Sequence, residues 1–179
     1  MYQLLKQIAK TGIVSERAPG PDESMRELEQ RLEKVVLEHF GRSLAIRHVD
    51  AGSCNGCELE IHACSSPHYN LERLGIRFVA SPRHADLLLV TGPVSRNVET
   101  ALRRTYYATP EPKLVVAIGD CGCDGGIFGE SYASRGAVAN VIPVDVAVPG
   151  CPPRPTAIIQ GILTALSGVN DPRNSRASR

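Results

Sequence analysis

Two cysteines separated by two residues are the first part of this sequence that could carry chemistry. Cys54 and Cys57 lie in the stretch DAGSCNGCELEI, residues 50 to 61. A Cys-x-x-Cys pair in this setting is a redox dithiol, half of a zinc site or part of an iron–sulfur site. Which of the three applies depends on where the fold places the other cysteines, since the chain has six.

Three of the other four cysteines follow apolar runs that are typical of β-strands. Cys121 and Cys123 come after KLVVAIGD, and Cys151 comes after VDVAVPG. Ligands of parallel α/β sheets bind outside the carboxyl ends of the strands, so these loops are expected to meet at one edge. Cys64 lies two helical turns, about 10 Å, beyond Cys57 and is predicted to be a buried side chain outside this site.

The elements that must position these cysteines alternate between strands and helices. An amphipathic helix is predicted from Pro21 to Gly41, with Ser24 as its cap. The predicted strands are residues 43–49, 76–80, 86–92, 113–120 and 141–150, and the further predicted helices are residues 57–64, 98–108 and 154–166. This order predicts an α/β fold with a doubly wound, mostly parallel sheet.

Composition narrows the class of protein. A chain of 179 residues is expected to form one core, and 20 basic against 19 acidic residues give no reason to expect a nucleic-acid surface. Neither a secretory signal nor a run long enough to span a bilayer is recognisable, so a cytosolic protein is expected. In that compartment, six cysteines indicate metal binding or redox chemistry rather than disulfides.

The spacing of the cysteines favours iron and sulfur over the two other chemistries. Structural zinc sites typically use two Cys-x-x-Cys pairs about 15 to 20 residues apart, and only one such pair is present. A redox dithiol leaves Cys121 and Cys151 without a role. A 4Fe-4S cluster takes four thiolates, and its last ligand is often followed by proline, as in PGCPPRP. A flavodoxin-like module with a structural zinc remains the alternative of a different class.

Three segments carry a resemblance to a known family. DAGSCNGCELEI, VVAIGDCGCDGGIF and IPVDVAVPGCPPRPTAIIQGIL resemble the small, cluster-bearing subunit of energy-converting membrane-bound NiFe hydrogenases and the related subunit of NADH:quinone oxidoreductase (complex I). The resemblance covers residues 43 to 166 and implies a flavodoxin-like fold with one proximal 4Fe-4S cluster. Carried over by motif, its ligands are Cys54, Cys57, Cys121 and Cys151, which leaves Cys123 as a spare thiol.

The first motif separates the two relatives. The complex I relative has adjacent cysteines there, whereas Asn55 and Gly56 separate the pair in this chain, as in the hydrogenase form. The CPPRP arginine is shared with complex I relatives and does not discriminate. The resemblance therefore favours a hydrogenase, and a complex I-like quinone oxidoreductase is the alternative.

The hydrogenase resemblance also implies a role and partners. The chain is expected to be a non-catalytic electron-transfer subunit between the NiFe centre of a large catalytic subunit and a ferredoxin-like two-cluster subunit. Membrane-embedded subunits would hold it on the cytoplasmic side of the cell membrane as a peripheral component. The expected organisation is a helical extension at residues 1–42, a cluster domain at 43–167 and a flexible tail at 168–179.

Two charged residues are candidates for influencing the cluster without binding it. Glu60 lies near the start of a predicted helix, where the helix dipole alone would favour a carboxylate. Arg154 is the first residue of the last predicted helix, where the dipole disfavours a cation unless the cluster's negative charge compensates for it.

The N-terminal stretch YQLLKQIAK has apolar residues on one side and lysines on the other. It is expected to lie at a membrane interface, to dock on a membrane protein or to cover the core of its own domain.

Overall fold

The computed structural model describes residues 2–12 and 23–168. Pro21 and almost all of the predicted tail, from residue 169 onward, lie outside these ranges. The helices are α1 (Tyr2–Thr11), α2 (Glu23–Phe40), α3 (Gly56–Cys64), α4 (Arg96–Ala108), α5 (Gly119–Asp124) and α6 (Pro155–Gly168). The strands are β1 (Leu44–Asp50), β2 (Ile76–Phe78), β3 (Leu87–Thr91), β4 (Leu114–Ile118) and β5 (Val146–Val148).

The five strands form one parallel sheet in the order β2-β1-β3-β4-β5. This arrangement confirms the predicted α/β, flavodoxin-like class. The central strand β3 is buried at all five positions, as expected for a strand covered on both faces. Asp50 of β1 pairs with Thr91 of β3, which pairs with Ile118 of β4. Three strands therefore end at the same level, and their following loops share one edge.

Alternating residues of the strands divide the core into two layers. Leu87 and Leu89 face the layer formed with α2, α3 and α6, which includes Leu32, Ile61 and Ile158. Leu88 and Val90 face the opposite layer, where Leu102 of α4 and Val138 pack. Because both faces are covered by apolar side chains, the carboxyl-terminal edge is held rigidly and can position its loops.

The structure differs from the prediction at several element ends. β5 is three residues long, and α2 begins at Glu23, one residue before the predicted cap Ser24. The sequence predicts a strand through residue 120, but β4 ends at Ile118 and the short helix α5 follows. GDCGCD gives no signal for this helix, because it contains two glycines and has no helical periodicity. It matters for the site, since α5 carries Cys121 and Cys123.

Helix α1 has no buried residue. The interpretation in which it covers the core of its own domain is therefore wrong. Among the helices in the described ranges, none combines the length and the apolar character needed to cross a bilayer.

Candidate metal centre

A cavity of about 170 Å³ opens at the carboxyl-terminal edge of the sheet. It is lined by Ser53, Cys54, Gly56, Cys57, Gly92, Asp120, Cys121, Gly150, Cys151 and Pro152. The structure thus places all four cysteines that the resemblance selects around one cavity. The other two cysteines of the chain do not line it.

The turn after β1 positions the first pair of cysteines. The Asp50 carboxylate accepts hydrogen bonds from the backbone N–H groups of Gly52 and Ser53, each at 2.8 Å. Burial alone would raise the pKa of Asp50, but these hydrogen bonds outweigh it and hold the pKa below its ordinary value. Asn55 then adopts a left-handed conformation with φ 72° and starts α3. Cys54 therefore lies before the helix and Cys57 in its first turn.

Asp120 joins the loops that carry the other two cysteines. Its carboxylate accepts a hydrogen bond from the backbone N–H of Gly150 at 2.7 Å. Its own backbone N–H donates to the Gly150 carbonyl at 2.9 Å. This two-way contact fixes the start of α5, which carries Cys121, against the turn that carries Cys151. Sequence reasoning missed Asp120, although it immediately precedes a predicted ligand.

Glycines let the backbone approach the thiols closely. A Cβ atom on Gly119 would lie 2.6 Å from the Cys57 sulfur, and one on Gly126 would lie 3.0 Å from the Cys121 sulfur. Both glycines have positive φ angles, +82° and +52°, which residues with a side chain rarely adopt. The sequence therefore keeps side chains away from the thiols, as a cradle for a bulky group requires.

The thiols influence one another electrostatically. Burial raises the pKa of Cys57 to about 12, and Glu58, Cys54, Cys121 and Cys151 act in the same direction. Burial also raises the pKa of Cys121, and the nearby Cys151 and Cys54 raise it further. The protein alone thus favours the neutral thiols of Cys57 and Cys121, and a positively charged metal group would stabilise the thiolates that bind it.

The donor set suits a cluster better than a single ion. In residues 2–12 and 23–168, no three His, Cys, Asp or Glu side chains are arranged to hold one metal ion. The four cysteines surround a cavity instead of converging on a point, and four thiolates are the usual ligands of a 4Fe-4S cluster. The residues present therefore fit this group. The assignment of each cysteine as a ligand remains a prediction.

Glu58, next to the predicted ligand Cys57, is a buried acidic residue of the site. Glu58, Ile61 and Cys64 form the buried face of α3, so a carboxylate occupies the buried position nearest the cavity. Its Oε1 accepts a hydrogen bond from the Thr91 hydroxyl, and Nε2 of His48 lies 3.0 Å from the same hydroxyl. The position was detectable from the helical spacing Glu58–Ile61, three residues apart on one face.

The remaining candidates lie outside the cavity. Cys64 is fully buried in the core, as predicted, and its thiol lies 3.8 Å from the Pro155 carbonyl. The Cys123 thiol points to the Ala117 carbonyl at 3.9 Å. Glu60 is partly exposed and acts electrostatically on Cys64. Arg154 is exposed just before α6.

Comparisons with known proteins identify the family of this chain. The family model described as NADH ubiquinone oxidoreductase, 20 Kd subunit, matches residues 54–165. A probable membrane-bound hydrogenase subunit mbhJ of Pyrococcus furiosus is 49% identical over 140 residues, which are 76% of this chain and 84% of that protein. Formate hydrogenlyase subunit 7 of Escherichia coli is 44% identical over 145 residues, 81% of this chain and 55% of that protein.

Two further relatives have different activities in their names. An NADH-quinone oxidoreductase subunit of Desulfovibrio desulfuricans is 44% identical over 136 residues, 75% of this chain and 73% of that protein. A chain in the solved structure of the membrane-bound sulfane sulfur reductase, an archaeal respiratory membrane complex, superimposes with a TM-score of 0.64. It is 36% identical, and the match covers 73% of this chain and 72% of that one.

Proposed function

Because the chain belongs to the family of the 20 kDa subunit of NADH:ubiquinone oxidoreductase, and is thus a subunit of an oxidoreductase complex, we propose that it is the electron-transfer subunit of a membrane-bound NiFe hydrogenase. In this proposal the chain is not itself catalytic. It connects the NiFe centre of a large subunit with a ferredoxin-like subunit that carries two clusters.

The observation that carries the proposal is the common cavity of Cys54, Cys57, Cys121 and Cys151. These four thiolates would hold one 4Fe-4S cluster, which supplies one-electron transfer when bound. The chain contributes the turn at Asp50, the contact between Asp120 and Gly150, and the bare glycine backbone beside the sulfurs. Together these features hold the ligands in place before the cluster binds.

The spacing of the first pair supports a hydrogenase over a quinone reductase. Two residues separate Cys54 from Cys57, and the left-handed turn at Asn55 places one before α3 and the other within it. This is the hydrogenase form of the motif in the resemblance described above. The relative named as an NADH-quinone oxidoreductase subunit, at 44% identity, keeps the complex I-like function as the second candidate.

Exposed apolar residues near the cavity support a protein partner. Leu59 follows Cys57 on α3 and is 62% exposed, while Ile127 and Phe128, directly after Gly126, are 93% and 54% exposed. Exposed apolar side chains grouped in this way are typical of a surface that another subunit covers. We propose that the large catalytic subunit covers this surface. Membrane-embedded subunits would hold the assembly at the cytoplasmic side of the membrane.

The decisive experiment is purification of the chain with its native partners through an affinity tag. A hydrogenase should contain nickel and should reduce a redox dye with hydrogen gas as the only electron donor. A complex without nickel that reduces quinone would establish the second candidate and overturn the first. A colourless, zinc-containing chain without partners would overturn both.

A further inference from the structure

Helix α1 divides cleanly into an apolar half and a polar half. Successive residues of an α-helix are rotated by about 100°, so residues three and four apart share a face. The apolar half contains Tyr2, Leu4, Leu5, Ile8 and Ala9. The polar half contains Gln3, Lys6, Gln7, Lys10 and Thr11.

The apolar half has no covering element in the described part of the chain. Tyr2 is 79% exposed, Leu4 64%, Leu5 58% and Ile8 57%. An isolated helix of this length is marginal in water, because its few hydrogen bonds barely offset the cost of nucleation. Helices of this kind are stabilised mainly by burial of an apolar face. A surface outside the described residues is therefore needed to stabilise α1.

The charges of α1 select the kind of surface. Lys6 and Lys10 lie one turn apart on the polar half, and no acidic residue occurs in the helix. This combination of a basic polar half and an uninterrupted apolar half is typical of helices that lie in the headgroup region of anionic bilayers. Tyr2, at the edge of the apolar half, has the amphipathic character of residues found at membrane interfaces.

We propose that α1 lies in the plane of an anionic lipid bilayer, with its apolar half in the acyl boundary and its two lysines among the headgroup phosphates. A bilayer accommodates the whole apolar half without a shaped groove, whereas a protein groove would have to match four exposed side chains individually. Two of the relatives are named as membrane-bound or membrane complexes. The inference depends neither on the metal centre nor on the proposed hydrogenase activity.

The absence of tryptophan from the chain permits a direct test. A Tyr2→Trp variant of the full chain carries a single indole, placed on the apolar half of α1. Mixing it with vesicles of phosphatidylcholine and phosphatidylglycerol should shift its emission to shorter wavelength. Vesicles of phosphatidylcholine alone should produce a much smaller shift. Since α1 has no buried residue, the Tyr2→Trp substitution should leave the unfolding of the domain unchanged.

Paired variants separate the two contributions to binding. Lys6→Gln with Lys10→Gln should lower partitioning to the anionic vesicles about twenty-five-fold, since each lysine near such a surface contributes about five-fold. Leu4→Gln with Ile8→Gln should abolish binding. Gln3→Asn with Gln7→Asn, on the polar half, is the control and should bind normally.

Two results would overturn the proposal. One is an emission spectrum that does not change with anionic vesicles. The other is a lipid-free complex in detergent whose assembly requires Leu4 and Ile8, because α1 would then dock on a protein partner. Both results leave the nickel and hydrogen measurements unaffected, so this proposal and the proposed function fail independently.

Discussion

The carboxylate of Glu58 accepts a hydrogen bond from the hydroxyl of Thr91, which joins the helix that carries Cys57 to the end of the central strand. His48 on the neighbouring strand reaches the same hydroxyl. The second oxygen of Glu58 is buried and has no hydrogen-bond partner in the described residues. Burying a polar atom without a hydrogen-bond partner costs free energy. Because Glu58 is buried at this cost directly beside the predicted ligand Cys57, we infer that its hydrogen bond with Thr91 holds the first turn of α3 in position.

Replacing Thr91 by valine should loosen this turn. The substitution keeps the shape of the side chain but removes the hydroxyl that donates to Glu58. Because the buried Glu58 carboxylate then has fewer hydrogen-bond partners, the free energy of unfolding should fall by about 1–3 kcal/mol. Iron content of the purified complex should fall as well. Thr91→Ser keeps the hydroxyl and is the matched control. Equal iron content and stability in the two variants would show that the contact has no positioning role.

Adding a methyl group at Gly119 should damage the cavity itself. Its Cβ would lie 2.6 Å from the Cys57 sulfur, so Gly119→Ala should reduce cluster occupancy, measured as iron and acid-labile sulfide per complex. Gly129→Ala is the control, because Gly129 also has a positive φ but nothing lies within 4 Å of its Cβ position. If both variants lose iron equally, backbone strain rather than the cradle is responsible.

Two cysteines should be dispensable for the cluster. Cys64 is fully buried in the core and the Cys123 thiol faces the Ala117 carbonyl, so neither lines the cavity. Cys64→Ala and Cys123→Ser should each leave the iron content of the purified complex unchanged. A clear loss of iron in the Cys123 variant would mean that the motif assigns the wrong cysteine of this pair.

The alternation of apolar strands and helices was sufficient to predict the sheet and the edge that carries the cysteines. The strands β3 and β4 are marked by nearly continuous buried runs such as LLLVT, and parallel strands bring their ends together wherever they lie in the sequence. Local patterns therefore predicted a long-range arrangement. The predicted burial of Cys64 followed from its two-turn distance from Cys57 and was correct.

The contacts that support the site could not be predicted in the same way. The sequence indicates Glu60 as the candidate, whereas the structure places Glu58 on the buried face of α3, where a charged residue contradicts the usual pattern. Its partner Thr91 lies 33 residues away from Glu58, and no local signal connects the two. Asp120 and Gly150 similarly meet only through the tertiary fold. The surface that helix α1 covers could not be predicted, because its amphipathic pattern fits a domain core, a membrane surface and a membrane protein equally well.

His48 should make the stability of the cluster-free chain depend on pH. Burial lowers its pKa below the ordinary 6.5; Arg47 and His62 act in the same direction, while Glu58 and Asp50 oppose them without reversing the shift. The unfolded chain then takes up a proton before the folded chain does, so stability should fall as the pH drops below about 6.5. In urea unfolding series, His48→Gln should show a weaker decline over this range. Parallel curves for the two proteins would rule out this contribution.

The central claim is that Cys54, Cys57, Cys121 and Cys151 together hold one 4Fe-4S cluster. Anomalous diffraction at the iron absorption edge, recorded from crystals of the purified complex, tests it most directly. The account predicts iron in the cavity at the carboxyl-terminal edge of the sheet, as a four-iron cubane with each of these four sulfurs bonded to iron. Zinc in the cavity, or a bond to iron from Cys123 instead of Cys121, would contradict it.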